Sequence, residues 1–183
     1  MSARLNTIFA IILTMTNTKQ ILILPVLVML ISVGFSAQNA MAVSTTVSDQ
    51  ITCESPSVGG VWTSMTSTCT VGTLVIGPTD ELVIASNVNF DIGTVTSSGV
   101  IVNNGTIHIA SGGVITTSGA FTNNGVIDSI GGTITNSGQF KNFGEFTSSG
   151  TITNGPTGVI QSSGKLTSSG VITSSGAIQV DKT

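Results

Sequence analysis

From Gly99 to Asp181 one large apolar residue recurs every six to eight positions, at Ile101, Ile107, Ile115, Phe121, Ile127, Ile134, Phe140, Phe146, Ile152, Ile160, Leu166, Ile172 and Ile178. Each anchor sits in a repeated phrase: Gly, any residue, the apolar residue, any residue, then two small polar residues. It reads GVIVNN at Gly99, GAFTNN at Gly119, GTITNS at Gly132 and GVITSS at Gly170. A triplet such as Thr133-Ile134-Thr135 alternates outward, inward, outward, as a short strand does. The flanking Gly and Asn or Ser residues are turn formers, Gly through its freedom at positive φ and Asn through bonds to its own backbone. The same residues disfavour helix. Each phrase therefore predicts a strand of about three residues followed by a corner.

So short a strand is stable only when successive turns of chain stack edge to edge, and the glycines give the length of a turn. Gly99, Gly119, Gly138, Gly158 and Gly176 step by 20, 19, 20 and 18, and Gly105, Gly125, Gly144 and Gly164 step by 20, 19 and 20. Three phrases and one or two extra residues make one coil, the extras falling at Gly112-Gly113, Ile130-Gly131 and Gly155-Pro156. The expected fold is all-β: a single-domain, three-faced parallel β-solenoid of about 19–20 residues per coil, taken as right-handed. Stacking places Asn103, Asn123, Asn142 and Ser162 in one corner column, and Thr117, Asn136, Asn154 and Ser174 in another. Amides stacked in this way can bond along the axis.

The same register sorts the outward residues onto faces. One face carries Val114 with Thr116, Thr133 with Thr135, Thr151 with Thr153 and Val171 with Thr173, and no charge. These eight residues are the candidate binding face, expected to be flat and regular. A second face carries Thr106 with His108, Val126 with Asp128, Glu145 with Thr147 and Lys165 with Thr167. The third is mixed, from Val100 and Val102 to Ala177 and Gln179.

The start of the chain has a different pattern. Residues 21–37 are an apolar run preceded by Lys19 and followed by Ala40-Met41-Ala42, a small-residue cleavage signal. Charged, apolar and small-residue segments in that order predict a secretory signal peptide over residues 1–42, with Met15 as a tidier start than Met1. Retained instead of cleaved, the run is long enough to anchor the chain in a membrane. After cleavage, 141 residues remain with three Lys, no Arg and eight Asp or Glu, a net charge of −5 (three minus eight). No basic patch is left to track a phosphate backbone, which excludes nucleic acid as a partner, and no further membrane span is expected.

Cys53 and Cys69 both fall in the exported part and are expected to pair in an oxidising compartment. With no nearby His they are too few to hold a zinc ion, so no metal or cofactor is expected. Trp62 lies between them. We expect residues 43–70 to form a disulfide-closed cap with Trp62 packed over the core end, in preference to a sugar-stacking role, and residues 71–183 to form the solenoid. The first strands are expected at Thr73–Ile76, Leu82–Ala85 and Val88–Ile92, broken at Gly77-Pro78 and Ser86-Asn87.

Candidate chemistry is sparse. His108 and Asp128 fall on successive rungs and are the residues that glycan cleavage would use, but opposite charges across rungs are expected on any solvated sheet face. Asn104-Gly105-Thr106 is a glycosylation sequon at a corner, of a kind the repeat itself generates.

The segment TSTCTVGTLVIG, followed by NNG, GTI and SSG phrases, resembles secreted cell-surface repeat proteins of ammonia-oxidising archaea, which carry a Cys pair, a Trp between the two and an NNGTI ladder. The repeat also resembles the coils of filamentous-haemagglutinin-type adhesins. Both resemblances imply a place and a shape, a secreted or cell-surface solenoid; the partner is left open among envelope components, glycans and neighbouring copies. The expected function is a non-enzymatic structural or adhesive rod. The alternatives are an ice-binding protein that uses the uncharged Thr and Val face, a face that could equally pack rod against rod, and a glycan-cleaving enzyme.

Overall fold

The structure is a computed structural model and describes residues 43–181. The expected signal peptide, its cleavage site, the start at Met15 and residues 182–183 lie outside the described residues. In chain order the elements are β1 (Ser44–Val47), α1 (Gln50–Cys53), β2 (Val61–Thr63), β3 (Thr68–Ile76), β4 (Glu81–Ile84), β5 (Asn89–Ser97), β6 (Val100–Asn103), β7 (Thr106–Ile109), β8 (Val114–Thr117), β9 (Ala120–Asn123), β10 (Val126–Ser129), β11 (Thr133–Asn136), β12 (Gln139–Asn142), β13 (Glu145–Ser148), β14 (Thr151–Asn154), β15 (Val159–Ser162), β16 (Lys165–Ser168), β17 (Val171–Ser174) and β18 (Ala177–Val180).

These strands build a parallel β-solenoid. One seven-stranded sheet runs β1-β4-β6-β9-β12-β15-β18. An eleven-stranded sheet runs β16-β13-β10-β7-β5-β8-β11-β14-β17, with β3 on β5 and β2 on β3. That second sheet is two faces of the solenoid joined at a shared corner. β3 and β5 are nine-residue strands that cross it, so Asn89–Asp91 pairs with β7 while Thr94–Ser97 pairs with β8. From β7 onward the chain breaks at this corner, where the extra residues of two coils sit, Gly112 and Gly131 having φ of 84° and 76°, while those at Gly155-Pro156 fall at the corner between β14 and β15.

The period read from the glycines is the observed one, but the glycines of the phrase are needed for a different reason than expected. Positive φ among the described glycines is confined to Gly59, Gly112 and Gly131. At most of the remaining corners of the repeat the stacked backbones approach too closely for a side chain. A Cβ on Gly119 would land on the carbonyl oxygen of Gly99, and one on Gly138 on that of Gly119. The coils are tied at the same points, Ala120 N–H donating to the Gly99 carbonyl (3.0 Å) and Gln139 N–H to that of Gly119 (3.0 Å). The backbone hydrogen bonds thus run along the axis from coil to coil, through the corners as well as the strands.

Each face contributes one apolar column to the core. Phe140 stands opposite Phe121 and Ile160 in register, its ring stacked on Phe121 at 4.8 Å between centroids. The anchors from Ile101 to Ile160 are all buried. The last coil departs from that pattern: Ile172 and Ile178 are 43% and 41% exposed, because no described rung lies beyond β17 and β18. Phe143, at a corner and not at an anchor position, is 57% exposed.

The corner columns are buried, except for Ser174 on the last rung. Asn103 Nδ2 donates to Asn123 Oδ1 (2.8 Å), Asn123 Nδ2 to Asn142 Oδ1 (2.7 Å) and Asn142 Nδ2 to Ser162 Oγ (3.0 Å). In the other column Asn136 Nδ2 donates to Asn154 Oδ1 (2.9 Å) and Asn154 Nδ2 to Ser174 Oγ (3.1 Å). Thr117 shares that column but its buried hydroxyl has no partner, so this ladder starts at Asn136.

After β1 the chain leaves the sheet. Asp49 caps α1 in a reciprocal capping box with Thr52. β2 then turns back antiparallel onto β3, pairing Trp62 with Cys69. Cys53 and Cys69 form a disulfide, with Cα atoms 5.7 Å apart. Val47, Cys53 and Val58 are buried with the core, and Trp62 packs against it. No described helix is long and apolar enough to cross a membrane.

Candidate functional site

The surface is three sheet faces, so any function rests on what each displays. The uncharged face is longer than the repeat phrases indicate. Strand pairing is in register through Thr73 and Val75 on β3, Thr94 and Thr96 on β5, Val114 and Thr116 on β8, Thr133 and Thr135 on β11, Thr151 and Thr153 on β14, and Val171 and Thr173 on β17, a total of six rungs. The structure therefore brings the eight expected residues together and adds Thr73, Val75, Thr94 and Thr96. Three rungs carry Thr at both positions, and the others carry Thr and Val. The two residues differ by a hydroxyl in place of a methyl, so the branched outline of the array is constant. Behind it stand Leu74, Val95, Ile115, Ile134 and Ile152, all buried.

The eight residues of the expected face differ in exposure. Thr116 and Thr173 are exposed, as is Val171, whereas Val114, Thr133, Thr135, Thr151 and Thr153 are half-buried. Neighbours in a column shield one another, because rungs are only about 4.7–4.9 Å apart. Thr173 lies on β17, the last strand of this sheet, so Thr153 covers it from one side and nothing described covers the other. Thr116, like Val75 and Thr96 in the same column, is exposed although rungs lie on both sides of it. The fourth and fifth rungs, Thr133 with Thr135 and Thr151 with Thr153, are thus the ones half-buried at both positions, with Thr116 and Thr173 standing further into solvent on either side of them.

The second face holds the charges. His108 Nδ1 lies 3.8 Å from Asp128 Oδ2, and Lys165 Nζ lies 2.6 Å from Glu145 Oε1. Pairing also sets Asp91 opposite His108 on the other side, so the imidazole has a carboxylate-bearing rung above and below it. Asp91 was hidden from the sequence reading because it precedes the regular phrases. Both pairs are largely solvated, and such pairs contribute at most about 1 kcal/mol. His108 and Asp128 stand on an open sheet face, without the concave, water-excluding walls that enclose a substrate in most enzymes. No group of three or more His, Cys, Asp or Glu among the described residues is placed to hold a metal ion.

The seven-stranded face is mixed, from Glu81 and Val83 to Gln139 and Lys141. At its edge Asn104 is exposed in the turn between β6 and β7, and its Oδ1 accepts from Asn124 Nδ2 at 2.9 Å. The sequon asparagine is thus at the surface, held by its counterpart one coil on. Shallow depressions are lined by Val43, Thr45, Val58 and Leu74 at one end of the molecule, and by Lys141, Phe143, Gln161 and Asp181 toward the other.

Comparison with protein-family models, with curated proteins and with solved structures gives no match.

Proposed function

We propose that this chain is a secreted, non-enzymatic structural or adhesive protein that presents a rigid β-solenoid at the cell surface. The observation that carries the reading is the unbroken parallel register, reinforced from inside by two amide ladders. A stack bonded along its axis by both backbone and side chains resists bending, and rigidity is what a display rod or spacer requires. The disulfide favours an oxidising compartment. Envelope components, glycans or neighbouring copies are the partners this reading implies, engaged through the exposed sheet faces.

The test is fractionation of the source cells into cytoplasm, envelope and medium, with thiol alkylation before lysis. The protein is expected in the envelope or the medium with Cys53 and Cys69 oxidised. Recovery from the cytoplasm with both cysteines alkylated would overturn the reading.

A further inference from the structure

We propose that the six-rung threonine face is an ice-binding surface, an array of hydroxyls and methyls that holds water in register with a crystal plane. The inference goes beyond a structural rod and does not depend on where the protein resides.

The argument begins with repetition. Along a strand the two outward positions are about 6.6–6.8 Å apart, and successive rungs are about 4.7–4.9 Å apart, so six rungs span about 24 Å. A protein or sugar partner does not need a surface that repeats in two directions. A crystal does, because each further rung in register makes the same contact again, and linked weak contacts multiply. Extension through Thr73 and Thr94 therefore changes the chemistry available: six rungs in register offer half as many contacts again as the four legible in the phrases.

Charge is the second argument. The ionisable groups of the outward strand positions fall on the other two faces, as at Asp128, Glu145 and Lys141, and none falls on this one. Water in a crystal cannot rearrange to solvate an ion, so a charge placed against it would lose hydration without compensation. A neutral hydroxyl-bearing surface complements a neutral hydrogen-bonding lattice. The face also lacks the aromatic and Arg anchors that dominate protein recognition.

Preorganisation is the third. Thr and Val have stiff χ1 angles, so hydroxyls and methyls keep their positions with little entropy to lose on binding. The fourth and fifth rungs, Thr133 with Thr135 and Thr151 with Thr153, each end in a ladder asparagine, Asn136 and Asn154, whose buried bond at 2.9 Å fixes one rung against the next.

The test measures thermal hysteresis and ice recrystallisation with the purified protein. The variants are Thr135→Tyr and Thr153→Tyr on the fourth and fifth rungs, Thr96→Tyr on an added rung, and Thr122→Tyr on the seven-stranded face as a control. Circular dichroism and melting confirm that each variant folds. Wild type and Thr122→Tyr are expected to show hysteresis, Thr135→Tyr and Thr153→Tyr to lose it and Thr96→Tyr to reduce it. Val114→Thr, which adds a hydroxyl without bulk, is expected to raise it. Absence of hysteresis in folded wild type would overturn the proposal, as would equal loss in Thr122→Tyr. If wild type shows no hysteresis but assembles, and Thr135→Tyr disperses the assembly, the face is a contact between copies and the proposal fails.

Discussion

Asn123 has no exposed surface, and its amide group both accepts from Asn103 and donates to Asn142. A buried polar group is tolerable only when it is bonded. Removing this one strands its neighbours at about 1–3 kcal/mol for each group left unpaired. Asn123→Ala should therefore lower stability by that order in urea titrations, while Asn124→Ala, one residue on at the surface, should stay within about 0.5 kcal/mol. Equal costs would show that the ladder contributes nothing beyond the backbone. The aromatic residues divide in the same way. Phe140 is 2% exposed and stacked in its column, so Phe140→Ala should cost about 3–5 kcal/mol. Phe143 stands at a corner and is half in solvent, so Phe143→Ser should cost clearly less in the same titration. Asp49 supplies a pH dependence. The Thr52 backbone N–H, then its hydroxyl, bonds the Asp49 carboxylate and holds it below its ordinary value of 3.8. A depressed folded-state value means that the unfolded chain takes up the proton more readily. The stabilisation is therefore complete above pH 3.8 and is lost as pH falls through the folded value. Asp49→Ala should melt earlier than wild type at neutral pH, and the difference should close on acidification below 3.8. A difference that is constant with pH would mean that the box is not maintained by the ionised carboxylate.

Among the elements, those that depart from the repeat are the ones the phrases did not announce. From β6 to β18 a Gly precedes each strand, and all but β7 and β18 end on Asn, Ser or Thr, so strand, corner and coil length were legible there. β3 and β5 lack that punctuation at their shared corner, where Gly72 and Gly93 stand without an Asn or Ser pair beside them. The breaks at Gly77-Pro78 and Ser86-Asn87 were legible, but the second half of β5, Thr94–Ser97, was not. With it went the rung of Thr94 and Thr96 and, through it, the continuity of the uncharged face to Thr73 and Val75. The phrases placed Thr116 and Thr173 on that face but not their greater exposure, which depends on the rungs beside them and so on the stack. β1 is likewise invisible to the phrase, since STTV has no glycine, yet it pairs parallel with β4 through Ser44–Glu81 and Val47–Ile84. The cysteine pair was legible from its compartment and spacing, and its setting came from packing. Gly60 lies so close that a Cβ there would meet both sulfurs, at 2.7 and 2.8 Å. The disulfide closes a loop of sequence separation 16. Chain entropy assigns about 3 kcal/mol to a loop of this size. Cys53→Ser/Cys69→Ser should therefore melt well below wild type. Addition of reductant should destabilise wild type toward the variant and leave the variant unchanged. If the double variant matches oxidised wild type, the crosslink is dispensable.

At the scale of the whole molecule each coil touches only its neighbours, so stability is expected to vary along the axis and not to be shared evenly. The two ends differ. At one, β1 pairs with β4, β2 pairs with β3, Val47, Cys53 and Val58 are buried, and a crosslink joins α1 to β3. At the other, β16, β17 and β18 each have a single neighbour, Leu166 is only partly buried, and the residues of β17 and β18 are exposed throughout. Few apolar contacts and one-sided hydrogen bonding favour local opening. Amide hydrogen exchange should therefore be fastest in Val171–Val180, slower through β13–β15, which pair with those last strands, and slowest in β6–β12, where every strand is paired on both sides away from the last described rungs and the ladder from Asn103 to Asn142 runs. Reduction of the disulfide should add a second fast region, Ser44–Ile76, while leaving the centre protected. Peptide-resolved exchange, followed with and without reductant, reads both effects. Uniform exchange along the chain would show that the coils unfold as one cooperative unit. Fastest exchange at Ser44–Ile76 in the oxidised protein would show that the crosslinked end is the weaker one despite its buried side chains, and would reverse the order argued from packing.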